Sequence, residues 1–384
     1  MNKKKKLLVL TMLCVSMFQM GMVGLAPVIS SVREAFPGTS ALVAQMATTF
    51  LNLVLVLFAL LSGGISRKIG RRWMCAVGMG LFTLAGLCGT FFTVGLWAVF
   101  LWSGFLGAGT GLFVPAVSSM MVDYLDDDER SRIAGIQTAF VNLGGMLLSF
   151  LAGVLAGSRW TNAYVVFLLS APVIFLSLKF IPKEQPVVKK GAASRRKIPM
   201  DVWLAALQTF IFAILYFAFS TNISMLLVEK QITNTTMSGI ATAIFMLGGC
   251  LFGFVFTRTL QLFRQRTAVL AFLLLAVSYL IIYFVDGTVP LLIAAFIGGG
   301  SLSIIFPFFL VTIANQVDPS ISVISTSLIL SVGPNPGSFV SPMILTNLAN
   351  SIWGEIVAAR FLLAAILAVA LAGILLILGL RKKQ

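Results

Sequence analysis

Apolar runs of about twenty residues recur along this chain, centred near Gln19, Asn52, Ala85, Gly109, Gly144, Ser170, Leu215, Leu247, Ala276, Leu302, Gly333 and Ala368, with short polar breaks between them. A helix needs roughly 20 such residues to cross about 30 Å of hydrocarbon. Twelve of them occupy about 240 of the 384 residues, which leaves no room for a soluble domain. A chain that is 59% hydrophobic and 10% charged carries more apolar surface than a water-soluble core can hide. The expected fold is therefore an all-α membrane protein of twelve transmembrane helices, with the lipid bilayer as its main partner. Residues 3–6 are lysines leading into an apolar stretch, as in a secretory leader, but the stretch continues past Ala26 and eleven more follow. It reads as helix one.

A net charge of +15 invites a nucleic-acid reading until its distribution is considered. With a cytoplasmic amino terminus, 23 of the 27 basic residues fall in inner segments, and only Arg33, Arg159, Lys230 and Arg360 fall outside. That is the positive-inside pattern for an even number of helices with both termini cytoplasmic in the cell (inner) membrane, and it leaves no call for a nucleic-acid partner. The four cysteines, Cys14, Cys75, Cys88 and Cys250, lie in or beside apolar runs without metal-site spacing and read as small hydrophobes. The chain has no histidine. Histidine metal ligands, Ser/His/Asp triads and the usual proton shuttle are excluded together, so no enzyme activity, catalytic residue, metal or cofactor is expected.

The one long polar break separates six helices from six, which predicts an amino-terminal bundle over 1–181, a cytoplasmic loop over 182–200 and a carboxy-terminal bundle over 201–384. The two halves align with each other. Gly107 and Pro115 match Gly299 and Pro307 at an offset of 192, and Gly144, Ser149 and Phe150 match Gly333, Ser338 and Phe339 at an offset of 189. The charged run from Asp123 to Arg132 accounts for the difference of three. Two parallel six-helix repeats are a known transporter plan.

Between helices two and three stands Gly63-Gly64-Ile65-Ser66-Arg67-Lys68-Ile69-Gly70-Arg71-Arg72. It resembles the loop signature of the major facilitator superfamily: Gly, an acid, a base, a second Gly and two bases. Gly107-Ala108-Gly109-Thr110-Gly111 with Pro115, and Asp128-Glu129-Arg130-Ser131-Arg132 leading into helix five, extend the resemblance. The family implies two pseudo-symmetric six-helix bundles, alternating access, and a gate at the loop, here Gly63, Arg67, Gly70, Arg71 and Arg72 with Asp123. Arg67 departs from the family pattern by standing at the acidic position. Asp123 is placed to pair with Arg67 or Arg71 in its stead. Ser103 occupies a position where many proton-coupled members carry arginine, and the helix-five glycine pattern of drug antiporters is present only in part, as Gly144, Gly145 and Gly153.

In this family helices one, four, seven and ten line the substrate cavity. The polar and aromatic residues near mid-depth there are Phe18 and Gln19, Trp102 and Phe105, Gln208, Phe212 and Tyr216, and Ser301, Ser303 and Phe306. Gln208, Phe212 and Tyr216 share a helix face at four-residue spacing, and Asn52, Asn142 and Asn335 add neutral polar groups. The twelve acids map to loops or helix ends, where water keeps them ionised, so a proton-driven mechanism would have to use Asp123, Asp201 or Glu229. The expected activity is transport of a small amphipathic or neutral solute by a monomer, with export of drug-like or metabolite molecules as the leading reading. Uptake or exchange of a small nutrient or organic anion, and lipid flipping, are the alternatives.

Overall fold

A computed structural model describes residues 3–183, 198–232, 235–314, 325, 328–329 and 333–381. Most of the basic central loop, with Asp318, Lys382 and Lys383, lies outside the described residues. The elements in chain order are α1 (Lys3–Ser16), a 3-10 segment Gly21–Val28, α2 (Ile29–Ala35), α3 (Ala41–Phe91), α4 (Leu96–Tyr124), α5 (Asp127–Leu155), a 3-10 segment Trp160–Ser170, α6 (Ala171–Phe180), α7 (Met200–Glu229), α8 (Thr235–Phe263), a 3-10 turn Arg264–Arg266, α9 (Thr267–Phe284), α10 (Thr288–Ala314), α11 (Pro334–Trp353) and α12 (Val357–Arg381).

Among the described residues, nine helical stretches are long and apolar enough to cross a membrane. Two of them run to 51 and 50 residues, about 75 Å each, more than twice the hydrocarbon thickness. Each is interrupted near its middle. In Ala41–Phe91 the backbone leaves helical geometry at Gly70, with φ 75° and ψ 160°, a region costly for any residue with a Cβ. In Thr235–Phe284 the interruption is the turn at Arg264–Arg266, where Arg264 takes φ 48°. The polar stretch expected as a loop around residues 63–72 is thus helical up to a one-residue break. Gly63 and Gly64 lie exposed within the helix that precedes it.

Helix starts follow from local chemistry. Ser40 caps α3 by accepting from the Val43 amide at 3.3 Å. Asp126 accepts from the Glu129 amide at 2.8 Å while Glu129 reaches back to the Asp126 amide at 3.4 Å. This reciprocal capping box starts α5. Glu129 also pairs with Lys5 of α1.

The chain divides into two compact units, Met1–Gly191 with Thr233–Ile240, and Ala192–Ile232 with Ala241–Gln384. In the first, Phe82 is the hub, with Phe18, Phe167 and Phe113 rings at 5.7, 5.8 and 6.0 Å. Residues 235–240 join this unit because Gly239 seats against Gly153, whose carbonyl accepts from Thr235 Oγ1 at 3.1 Å. In the second, Phe245 gathers an aromatic cluster of its own, with Phe219 stacked at 4.2 Å and Tyr216 at 4.8 Å.

The glycines aligned from sequence do the same work in both units. A methyl on Gly107 would strike the Leu51 carbonyl of α3, and one on Gly299 the Phe245 carbonyl of α8. Gly144 lies against the backbone of Met17, and Gly333 against that of Ala206, which is Met17 shifted by the same 189. Small residues at these points let helices pack backbone to backbone, the main source of helix association where lipid removes the hydrophobic contrast.

Candidate functional site

The first span is not one continuous helix. α1 ends at Ser16, residues 17–20 turn, and the 3-10 segment Gly21–Val28 follows. Phe18 and Gln19 therefore sit at a break near the middle of the Lys3–Ala35 span. Through the break the backbone stays bonded locally, the Met17, Phe18 and Gln19 amides donating to the Leu13, Val15 and Ser16 carbonyls at 3.2, 3.2 and 3.1 Å. Gln19 is half-buried, whereas Phe18 is buried against Phe82. Beside the break, Gln137 of α5 donates to Ser16 Oγ at 2.9 Å. Sequence reading passed over Gln137, although an amide inside an apolar run was the signal that singled out Asn142.

The remaining candidates in this unit are mostly buried. Asn52 contacts Met22 Sδ through Nδ2 at 2.8 Å. Asn142 donates to the Thr138 carbonyl at 3.0 Å, and its Oδ1 has no partner among the described residues. The Trp102 indole N–H and the Ser103 hydroxyl are likewise buried without a partner among the described residues. Trp102 packs on Phe105 with ring centroids 5.6 Å apart, and Phe105 is half-buried.

In the second unit Phe212 and Tyr216 do share a face, their rings stacked at 5.8 Å. That face is packed inside the unit: Phe272 lies 5.3 Å from Phe212, Phe245 lies 4.8 Å from Tyr216, and both side chains are fully buried. Gln208, one turn before Phe212, is half-buried. Ser301 bonds to the Gly298 carbonyl at 2.6 Å and is buried, as is Ser303, while Phe306 and Asn335 are half-buried. Tyr279 of α9 donates to the Leu215 and Tyr216 carbonyls at 2.7 and 3.1 Å, and Ser341 of α11 to the Ile214 carbonyl at 2.6 Å. α7 is thereby tied to its neighbours at its centre.

Among the residues expected to gate, the break at Gly70 turns Arg71 onto the end of α4. Its guanidinium meets Asp123 at 2.7 Å and Ser119 Oγ at 3.4 Å, and lies 5.6 Å from the centre of the Tyr124 ring. Of the two bases expected to compensate for the missing acid, Arg71 makes the pair. Arg67 is exposed and forms no ion pair among the described residues. Arg72 is half-buried.

Two further acids have defined roles. Glu229 ends α7 and accepts from the Val357 and Ala358 amides at 2.6 and 3.0 Å, so a carboxylate caps the positive end of α12. Asp286 pairs with Lys230 at 2.8 Å. The Lys230 ammonium, by hydrogen bond and by charge, holds the Asp286 carboxyl below the usual carboxylate range. Asp201 is exposed at the start of α7.

Arg360, which the charge count set apart from the inner segments, is fully buried in the first turn of α12. Its guanidinium donates to Asn222 Oδ1 of α7 at 2.9 Å and to Asn350 Oδ1 of α11 at 3.4 Å. Hydropathy placed it at a helix end, but only packing shows that this end is roofed by amide side chains able to hold a buried cation.

A family model described as Major Facilitator Superfamily matches residues 10–228. In Bacillus subtilis (strain 168), an uncharacterized MFS-type transporter, YqjV, is 24% identical over 192 residues, 49% of this chain and 46% of that protein. The methylenomycin A resistance protein of the same organism is 26% identical over 156 residues, 39% of this chain and 31% of its own length. The matches span less than half the length of either relative. Among solved structures, the nucleoside transporter NupG superposes with a TM-score of 0.72 at 14% identity, over 98% of both chains. A POT family transporter in complex with a thioalcohol conjugated peptide does so at 0.77 and 13%, over 98% of this chain and 96% of the other. At such identities the likeness is one of fold.

Proposed function

The chain belongs to the Major Facilitator Superfamily, and from that premise we propose that it exports a small neutral or amphipathic solute, drug-like or metabolite, by alternating access. In this reading it acts as a monomer in the cell membrane with twelve crossings and both termini cytoplasmic. The observation that carries it is the chemistry of the candidate residues. Gln19, Asn52, Asn142, Gln208, Ser301, Ser303 and Asn335 are uncharged, and Phe18, Trp102, Phe105, Phe212, Tyr216 and Phe306 are aromatic. A phosphate or dicarboxylate would call for arginine or lysine facing it, and the cation buried in the second unit among the described residues, Arg360, is held by Asn222 and Asn350.

Of the three acids expected to serve any proton coupling, Asp123 is engaged by Arg71 and Glu229 by the start of α12, while Asp201 stands exposed at the start of α7. In this reading the solute moves down its own gradient or against a second solute. Similarity to a resistance protein supports the outward direction. Arg71 and Asp123, turned into place at Gly70 and flanked by Gly63, Arg67 and Arg72, form the gate in this reading.

The test is flux in vesicles at zero and at large proton gradient with the membrane potential clamped. Transport in both conditions is expected. Accumulation that needs the gradient and disappears in Asp201→Asn or Glu229→Gln would refute the reading.

A further inference from the structure

At one end of the first unit the spans Lys3–Ala35 and Asp128–Leu155 finish, and the spans Trp160–Phe180 and Thr235–Phe284 begin. The ends of spans lie at the depth of the lipid headgroups. A pocket of about 510 Å³ sits there, wholly within the first unit. Ser31 and Glu34 of α2, Ser158 and Arg159 of the turn after α5, Trp160 and Thr235 line it.

The lining holds one carboxylate and one guanidinium. Neither Glu34 nor Arg159 forms an ion pair among the described residues, although both border the same space. Their charges are held apart, and a ligand that answers both carries a cation and an anion a few atoms from each other. Arg159 offers the fork that suits a phosphate. On the other side, Thr235 Oγ1 donates its proton to the Gly153 carbonyl at 3.1 Å, so it faces a ligand as an acceptor, as the Glu34 carboxylate does. Two acceptors suit a primary ammonium, which has N–H groups to donate. A quaternary ammonium would call for an aromatic cage, and the pocket has the single indole of Trp160.

The pocket continues into an apolar surface. Val154, Phe150, Leu147 and Leu143 are all exposed on α5, and their spacing of four, three and four residues puts them on one helix face. The Gly157 amide beside the pocket donates to the Val154 carbonyl at 3.2 Å, so the last residue of this stripe lies directly under the pocket. A free zwitterion would fill the pocket and leave the stripe bare, whereas a phospholipid covers both. We propose that this site holds a membrane phospholipid with a zwitterionic, primary-ammonium headgroup. Its phosphate sits on Arg159, its ammonium on Glu34 and Thr235, and one acyl chain along the α5 stripe. Trp160, braced edge to face by Phe36 at 6.0 Å, is of the residue type that favours the headgroup level. The proposal needs only the membrane-spanning fold, and stands whichever solute is carried and in whichever direction.

The experiment uses the full chain in vesicles of phosphatidylcholine and phosphatidylglycerol. Each preparation carries a trace of one photoactivatable phospholipid with a diazirine on its acyl chain and an ethanolamine, choline or glycerol headgroup, and crosslinks are mapped by mass spectrometry. The ethanolamine probe should label Leu143, Leu147, Phe150 and Val154 above the other two. Glu34→Gln and Arg159→Gln, both at exposed positions, should each lower that labelling about two- to fivefold, the worth of one exposed charge pair, and leave labels elsewhere unchanged. Ser158→Trp, which fills the pocket and keeps both charges, should abolish the preference and serves if a charge variant does not fold. Water-soluble glycerophosphoethanolamine at the concentration of the probe should not displace it. Equal labelling by the three probes, stronger labelling by the glycerol probe, or labels unchanged in all three variants would overturn the proposal. Displacement by the soluble headgroup would overturn it too, and would give the pocket to a free zwitterion.

Discussion

Alanine at Gly107 should loosen the first unit, whereas alanine at Gly104, on the same helix, should not. Gly107 lies where its Cβ would overlap the Leu51 carbonyl and come within 3.0 Å of Val54 Cβ. Neither a carbonyl in a helix nor a β-branched side chain can rotate away, so α4 must retreat from α3 and lift Gly111 off Leu55 as well. Overpacking of this kind costs about 1–3 kcal/mol. Replacing glycine by alanine in a helix also gains up to about 1 kcal/mol, but that gain is common to both variants and cancels in the comparison. What remains is a difference of about 1–3 kcal/mol, or about 2–12 °C in apparent melting temperature for a unit of this size. The measurement is thermal loss of the monodisperse peak in detergent at one fixed heating rate, since unfolding of such proteins is usually irreversible. The second unit supplies a replicate. Gly299 would strike the Phe245 carbonyl, while a methyl on Gly253 meets only Ser303 Cβ at 4.0 Å. If the Gly107 and Gly104 variants melt together, and the Gly299 and Gly253 variants do likewise, the close backbone approach inferred for both units is wrong.

Arg360→Ala should speed thermal inactivation, because the Asn222 and Asn350 oxygens lose a donor inside the unit at about 1–3 kcal/mol for each group left unsatisfied; the same detergent assay reads it. Tyr216→Ala should destabilise by about 3–5 kcal/mol through loss of packing on Phe212 and Phe245, whereas Tyr216→Phe should melt above the parent, by up to about 1–3 kcal/mol, since it removes a hydroxyl buried without a partner among the described residues. Asp123→Asn should cost about 0.5–1 kcal/mol, as its carboxylate is 40% exposed and the Arg71 pair is screened, and should raise the rate of proteolytic cleavage near Gly70. For Asp286 the folded-state pKa lies below the ordinary carboxylate value near 4. The stabilisation is complete above that ordinary value and fades as pH falls through the lower folded one; Lys230→Met should flatten this acid limb of a stability-against-pH curve.

The sequence by itself determined the fold class, because twenty-residue apolar runs admit only spanning helices, and this depends on composition along the chain without any partner in space. It also determined the internal repeat. The glycines at 107 and 299, and at 144 and 333, stand at offsets of 192 and 189 in the sequence and make matching contacts in the structure, since close backbone approach demands the smallest residue in both halves. The choice of Arg71 over Arg67 as partner of Asp123 was beyond it, because both bases lie within reach of the acid in one dimension and only the turn at Gly70 selects between them. Periodicity showed that Phe212 and Tyr216 share a face. Which way that face points depends on where Phe245 and Phe272 arrive from other helices, and the structure turns it inward. Arg360 is the plainest case. A cation at a helix end looks solvated in sequence, and only the arrival of Asn222 and Asn350, 138 and 10 residues away along the chain, makes a buried charge tolerable. Local pattern decides which segments become helices and which residues must be small. The faces those helices show to one another, and so the environment of each polar group, are decided by contacts between residues far apart in the chain.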